Sequence, residues 1–422
     1  MDLIRVSTSW FQPLQGVDGR HKAGQDEIGG AMSLPSWPRD FPRIAQRDKH
    51  AHFSSGMARG VEQPAEPASA APPPRANADL VGHEAAEREL RRLDEIGRLP
   101  HAILLSGPRG IGKATLAFRL ARFLLARGEE RGSTADGGLA IDPASGAFRR
   151  VAAGGHADLL TVERAYDPRR RRLRSEIVVE DAREITGFFR LTAAEEGWRI
   201  VVVDGAEEMN HSAANALLKV LEEPPRQAVL LLVSHSAGQL LPTIRSRCRR
   251  FPLAPLGCPV VMQLLGRYRP ELAKPEAEAL AALSDGSVGR ALELADAGGL
   301  ALYRAIVEML SQVPRVDLAR LHAFADRLSR SDAEDAYRAG SELLARLLTR
   351  ATVSAARPGF GEQEIIAGEG ETTRRLAARA DPARWAALRA EIGQRFAAVD
   401  DLNLDRKQAM LGAFLAIAEL AG

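Results

Sequence analysis

The segment Gly107-Pro108-Arg109-Gly110-Ile111-Gly112-Lys113-Ala114-Thr115 decides the fold of this chain, because its glycines have the spacing of a phosphate-binding loop. The apolar run 102–105 precedes it and predicts a strand, and residues 116–125 have a helical pattern. In that context the backbone N–H groups and the helix N-terminus bind phosphate. We therefore predict an α/β core with a P-loop.

One position in this loop departs from the sequence that a working NTPase needs. Lys113 is placed to reach the outer phosphates, but Ala114 follows it, where a Ser or Thr hydroxyl would bind Mg²⁺. Thr115 is no simple substitute, since one residue along a helix turns a side chain by about 100°. We expect at most weak ATP binding, at a degenerate site that consists of Gly107, Gly110, Gly112, Lys113, Thr115 and Asp204.

Composition excludes several classes of protein. The 422 residues are 45% hydrophobic and 27% charged, which is typical of a soluble globular protein of about three domains. A net charge of +2 does not indicate nucleic-acid binding by itself. Two cysteines, Cys248 and Cys258, allow neither a disulfide framework nor a multi-cysteine zinc site, so we predict no metal. The longest apolar run, 228–233, is too short to span a bilayer, and we predict a cytoplasmic protein.

The pattern along the chain predicts four regions. Residues 1–77 have no sustained period and end in a Pro- and Ala-rich tract, which predicts a disordered extension. Met57 is a plausible alternative start, so residues 1–56 are either a start-site artefact or a flexible tail. Residues 78–254 alternate apolar strands and helices, which predicts a parallel sheet covered on both faces. Residues 255–300 predict a small helical lid and residues 301–422 an all-helical domain.

Within the predicted core, four short apolar segments are interpreted as strands besides the one before the P-loop. They are 158–162, 176–179, 199–204 and 229–234. Residues 128–157 are rich in Gly, Ala and Asp and are interpreted as a loop or a degenerate insertion. Asp204 closes a buried strand, and an acid at such a strand end, beside a P-loop, orients Mg²⁺ and its waters.

Two further segments resemble the AAA+ clamp-loader subunits of DNA replication. They are Ser246-Arg247-Cys248 and the tract 215–225, Asn-Ala-Leu-Leu-Lys-Val-Leu-Glu-Glu-Pro-Pro; residues 99–102 also match. The resemblance implies an AAA+ core with a C-terminal collar, and an Arg247 that reaches in trans into a neighbour's ATP site. Such an arginine is worth about 10³–10⁵ in rate. Composition alone favours a solvated basic cluster at 245–250, and the tract at 215–225 reverses that preference.

At three places the sequence lacks a residue or a module that members of this family carry. Gly205 stands where active AAA+ members carry the Glu that polarises water, and Glu207 and Glu208 are interpreted as ordinary acids in the turn beyond the strand. Gly289 stands where motor subunits carry a phosphate-sensing Arg, and Arg290 is one step further round the helix. Residues 128–157 lack the cysteines of the zinc module that many relatives carry.

A degenerate site combined with an intact Ser-Arg-Cys segment resembles the delta prime type within DNA polymerase III clamp loaders. The resemblance implies gamma/tau and delta subunits, the sliding clamp and primer–template DNA as partners, in a hetero-pentameric ring. The alternatives are an active motor of the gamma/tau or branch-migration kind and a P-loop small-molecule kinase. The basic run Arg169–Arg172 and Lys219 are either DNA contacts or ordinary surface charges.

Overall fold

The computed structural model describes residues 71–131, 137–167, 172–195, 197–357, 364–402 and 404–422. Its centre is a five-stranded parallel sheet in the order β2-β5-β6-β1-β7. A two-stranded antiparallel hairpin, β3–β4, lies outside that sheet. The strands are β1 Ala102–Ser106, β2 Leu159–Val162, β3 Tyr166–Asp167, β4 Arg172–Leu173, β5 Arg199–Asp204, β6 Ala228–Ser234 and β7 Arg249–Pro252.

Helices cover both faces of the sheet because the central strands are apolar on both sides. Ile103 and Leu105 of β1 face one helical layer, whereas Ala102 and Leu104 face the other. The first layer is α1 Glu84–Glu95, α2 Lys113–Leu125 and α3 Gly146–Ala152. The second layer is α4 Val179–Arg190, α5 His211–Glu222 and the short α6 Pro242–Arg247. The P-loop therefore joins the middle of the sheet to a buried helix.

After β7, the secondary structure of the described residues is helical. Its helices are α7 Cys258–Tyr268, α8 Lys274–Leu283, α9 Val288–Asp296, α10 Gly299–Ser311, α11 Leu318–Ser329, α12 Glu334–Ala356, α13 Glu369–Ala377, α14 Pro382–Leu402 and α15 Arg406–Ala421. Their buried side chains form one continuous cluster that extends from Leu256 to Ala421. Helices α7–α9 of the predicted lid thus share a core with the helices that follow. The predicted class, an α/β core followed by helices, is confirmed.

Two predictions within the core are wrong. Residues 176–179 form no strand: only Ile177 makes an isolated bridge, and the Asp181 carboxylate accepts the Val178 N–H at 2.9 Å, which starts α4 at once. Residues 128–157, interpreted as a loop or a degenerate insertion, are not all loop: they contain α3, which Ser145 caps by accepting the Phe148 N–H at 3.1 Å. Strand β7 was not predicted, because Arg249 and Arg250 make it look polar.

The described residues begin at 71, inside the segment 1–77 that was predicted as an extension. Residues 1–70, with the proposed start at Met57, lie outside the described residues. Residues 75–78 are held on α2, where the buried Arg122 donates to the carbonyl oxygens of Arg75 at 2.8 Å and Asn77 at 2.6 Å. Within the described ranges, none of the helices combines the length and the apolar composition that crossing a bilayer requires.

Candidate functional site: a P-loop under a lid

The P-loop runs from the carboxyl end of β1 to the first residue of α2. Gly107 has φ 150°, and a Cβ there would lie 2.3 Å from the carbonyl oxygen of Leu253, directly after β7. Gly112, with φ 103°, precedes α2 and leaves the helix N-terminus without a side-chain cap. Both positions require glycine, because L-residues rarely adopt these angles and the space beside Gly107 is filled by backbone.

Lys113 is buried inside this loop. Only 3% of it is exposed, and its Nζ donates to the carbonyl oxygen of Pro108. Burial lowers the pKa of the ammonium to about 8, while the nearby carboxylates of Asp204 and Glu207 act in the opposite direction. The side chain therefore has to leave its bond to Pro108 before it contacts a phosphate.

The groups that would hold a metal are incomplete. Ala114 offers no ligand oxygen, and Thr115 is 8% exposed within α2. Burial raises the pKa of Asp204, an effect that the Lys113 charge partly offsets. Among the described residues, no group of three or more His, Cys, Asp and Glu side chains could hold a metal ion. The residues present fit a phosphate better than they fit Mg²⁺.

Gly205 has a conformation that disfavours a glutamate. Its φ is 75°, and a Cβ there would lie 2.5 Å from the Oε2 atom of Glu208. Glu208 pairs with Arg164 at 2.9 Å, whereas Glu207 accepts the His235 N–H at 2.7 Å. Glu207 and Glu208 lie in a 3₁₀ turn beyond β5, as predicted, but each has a specific partner.

Sequence reasoning missed two polar residues at the carboxyl end of β6. Among the described residues, the buried Ser234 Oγ, His235 Nδ1 and Glu207 Oε2 have no hydrogen-bond partner. Burial lowers the pKa of His235, as does the Lys113 charge, and Glu207 opposes them. Because parallel strands end at one edge of the sheet, these atoms belong to the P-loop site. The available signal was that Ser234 and His235 directly follow an apolar strand.

The lid contacts the P-loop through two backbone carbonyls. Ser287 caps α9 and donates its hydroxyl to the carbonyl of Arg109 at 2.8 Å. The Gly289 N–H donates to the carbonyl of Gly110 at 2.9 Å, and a Cβ at 289 would lie 2.9 Å from the Gly110 Cα. In this arrangement Gly289 has no room for an arginine. Arg290 turns away, towards the carboxylates of Asp285 and Glu342, each at 3.4 Å.

The predicted arginine finger lies at the end of α6. The side chain of Arg247 is 37% exposed, and its guanidinium donates to Glu222 of α5 at 2.8 Å and to the Thr243 carbonyl at 3.2 Å. The Ser246 hydroxyl also donates to the Thr243 carbonyl, at 3.1 Å. Cys248 is buried, which raises the pKa of its thiol to about 12. The thiol is therefore neutral at physiological pH and packs into the core.

Strand direction separates Arg247 from the P-loop of its own chain. Strands β1 and β7 are parallel, with Ile103 opposite Arg249. Arg247 precedes the amino end of β7, whereas the P-loop follows the carboxyl end of β1. Four residues of strand between these ends span roughly 13 Å. Arg247 and the P-loop thus lie at opposite ends of the parallel strands.

The other basic residues that the sequence indicated are less informative. Arg169–Arg171 lie outside the described residues, and the hairpin β3–β4 flanks them. Lys219 is exposed on α5. His156 is buried in the segment before β2, where its Nδ1 accepts the Asp158 N–H at 3.2 Å. These contacts are those of a structural histidine rather than a metal ligand.

The glycine loop after β1, the acid at the end of β5 and the intervening strand β6 define a P-loop protein of the AAA+ class. A family model described as DNA polymerase III, delta subunit, matches residues 82–257. The DNA polymerase III subunit delta′ of Pseudomonas aeruginosa is 40% identical over 190 residues, which cover 44% of this chain and 53% of that protein. The resemblance to clamp-loader subunits is confirmed over residues 82–257, which are similar to subunits of DNA polymerase III.

Other relatives carry related names. Subunit delta′ of Yersinia pestis is 34% identical over 41% of this chain and 46% of its own. Subunit tau of Escherichia coli is 32% identical over 53% of this chain and 33% of its own. The matches thus span about a third to a half of the relatives' lengths. A crystal structure of a gamma subunit-related protein from Thermotoga maritima has 18% identity and a TM-score of 0.38, over 81% of this chain and 100% of that one.

Proposed function

We propose that this chain is a delta prime type subunit of a DNA polymerase III clamp loader. In this role it takes part in sliding-clamp loading without being the motor. It closes one end of a hetero-pentameric ring and donates Arg247 to the ATP site of an adjacent gamma/tau subunit. Its further partners are a delta subunit, the sliding clamp and, through the assembled complex, primer–template DNA, all in the cytoplasm.

The opposite placement of Arg247 and the P-loop is the observation that carries this proposal. An exposed arginine at the amino edge of the sheet has no phosphate to serve in its own chain. In a head-to-tail ring, that edge faces the nucleotide site of the next subunit. Glu222 supports the role, because its carboxylate holds the guanidinium at the surface until a stronger anion replaces it.

The weakened P-loop supports a role in which this chain donates an arginine and the adjacent subunit hydrolyses ATP. Lys113 and the loop N–H groups would hold phosphates, but Ala114 and Gly205 leave the metal and the attacking water without their usual partners. Lid residues Ser287 and Gly289 bond directly to the loop and fill the place of a sensing arginine. We propose that ATP binds weakly here and that the chain turns over little or none of it.

A reconstituted loader tests the proposal. The arginine fingers at all other subunit boundaries are first replaced by alanine, so that only the site beside this chain reports. Arg247→Ala then reduces clamp- and DNA-stimulated ATPase by about 10³-fold or more, the usual worth of such a finger. Arg245→Ala, on the same helix, is the matched control and leaves turnover within about twofold. Unchanged turnover with Arg247→Ala in an intact ring would remove the basis of the proposal.

One observation favours the alternative, an active ATPase motor. Lys113 and Asp204 are both retained, and the unpartnered polar atoms of Glu207, Ser234 and His235 border the same site. That reading requires ATP turnover by the purified chain which Lys113→Ala abolishes. Turnover that survives only with an added motor subunit decides for the delta prime role.

A further inference from the structure

A cavity of about 1080 Å³ lies beside the tip of the P-loop. The loop tip 108–110 and the lid form one wall, and helices α12, α13 and α14 form the other. Its volume is at the upper end of the range of small-molecule sites, about 300–1,000 Å³. Lys113 and Asp204 do not line it, and Gly110 is the one residue of the nucleotide site described above that does.

The walls of this cavity are rich in arginine. Within the described part of the chain, seven arginines and four acidic residues line it. Arg346 and Arg350 are committed to carboxylates, Arg346 to Asp285 and Arg350 to the fully buried Glu369 at 2.9 Å. These two hold the fold together. Arg290 and Arg338 also have carboxylate partners, at 3.4 Å and 3.5 Å. Within the described residues, positive charge without a close carboxylate is therefore found among the remaining arginines.

Three of the remaining arginines are weakly neutralised or not neutralised at all. Arg109, at the loop tip, has Glu293 only at 3.9 Å. Arg374 of α13 donates to the carbonyl of Gly370 at 3.3 Å, and Arg389 of α14 donates to a threonine hydroxyl at 2.7 Å. Within the described part of the chain, neither Arg374 nor Arg389 has a carboxylate within salt-bridge distance. Like charges gathered around one space repel one another, and an anion placed between them relieves that repulsion.

We propose that this cavity binds a compact polyphosphate, either a nucleoside polyphosphate or an inorganic one. Guanidinium groups match phosphate oxygens in pairs, and three guanidinium groups without a close carboxylate suit an anion of several negative charges. Arg374 and Arg389 bind the anion from the helical wall of the cavity, and Arg109 binds it from the P-loop wall. The bound anion thereby ties the loop tip to helices α13 and α14.

Calorimetric titration of the full chain with sodium tripolyphosphate, and separately with ATP, tests this site. Arg374→Glu/Arg389→Glu weakens binding by about tenfold or more, because two charge-assisted contacts become repulsive. The matched control is Arg379→Glu/Arg384→Glu, which makes the same charge change at exposed arginines outside the cavity. Lys113→Ala weakens phosphate binding at the P-loop, so the tripolyphosphate binding that remains in this background reports the cavity. Thermal unfolding checks that each variant is folded, and Arg109→Glu is the second variant if the first is not.

Each other outcome counts against the site. Binding that Lys113→Ala abolishes and Arg374→Glu/Arg389→Glu retains belongs to the P-loop. Equal loss in the cavity variant and the control reflects net charge rather than a site. Absence of heat with either anion at millimolar concentration overturns the proposal, as does binding of a single-stranded oligonucleotide in place of both anions.

Discussion

Gly289→Ala is the sharpest test of the contact between lid and phosphate loop. Within a helix such as α9, alanine is normally more stable than glycine by about 0.5–1 kcal/mol. Here the new Cβ would lie 2.9 Å from the Gly110 Cα, closer than real Cβ atoms approach backbone. Overpacking of this kind costs about 1–3 kcal/mol. The two terms together predict a net loss between about zero and 2.5 kcal/mol.

Gly187→Ala provides the matched control, because a Cβ at this exposed position on α4 has no atom within 4 Å. It keeps the full helical gain, so the two variants differ by about 1–3 kcal/mol. For a protein of this size that corresponds to roughly 1–3 °C in the thermal midpoint. Differential scanning calorimetry of the two variants beside the parent chain measures it. If Gly289→Ala raises the midpoint as much as Gly187→Ala does, the lid does not press on Gly110 and the reasoning fails.

Two further predictions concern the core. At pH 8 a thiol-specific reagent labels Cys258 at least about 10³-fold faster than Cys248. The reason is that a thiol with a pKa of about 12 is only about 10⁻⁴ ionised, and that Cys248 is also buried. Cys258→Ser removes the fast phase of labelling, and two equally fast thiols would contradict the burial of Cys248. Glu87→Ala lowers the free energy of unfolding in denaturant by about 3 kcal/mol or more, because the buried Arg119 loses its carboxylate partner. The control, Glu391→Ala, breaks an exposed ion pair and costs under about 1 kcal/mol. Similar losses in both variants would contradict this difference.

The parallel sheet was predictable because its central strands are apolar for their whole length. The segment 199–204 and β6 are buried on both faces, and no other element suits such runs. Strand β7 was not predictable, because it pairs with β1 alone and exposes Arg249 and Arg250 at the sheet edge. Residues 176–179 were wrongly predicted as a strand because they contain β-branched side chains, which suit a strand. In the structure, Asp181 stabilises the start of a helix there.

The nucleotide site was predictable as a set of residues but not as an arrangement. Gly107, Lys113 and Asp204 belong to short motifs whose geometry is local, so the sequence identifies them directly. The contact between Gly110 and Gly289 joins residues far apart in the chain, and only tertiary packing brings them together. The same holds for the arginines of the cavity, which come from the P-loop, the lid and three C-terminal helices.

Helices α7–α9 and α10–α15 share one continuous core, and this has a mechanical consequence. The lid therefore moves as one rigid body with the C-terminal helices. These include the 23-residue α12, which is roughly 35 Å long. The hydrogen bond from the Gly289 N–H to Gly110 couples this rigid body to the phosphate loop. A force applied to the distal helices is thus transmitted to the P-loop through packed helices.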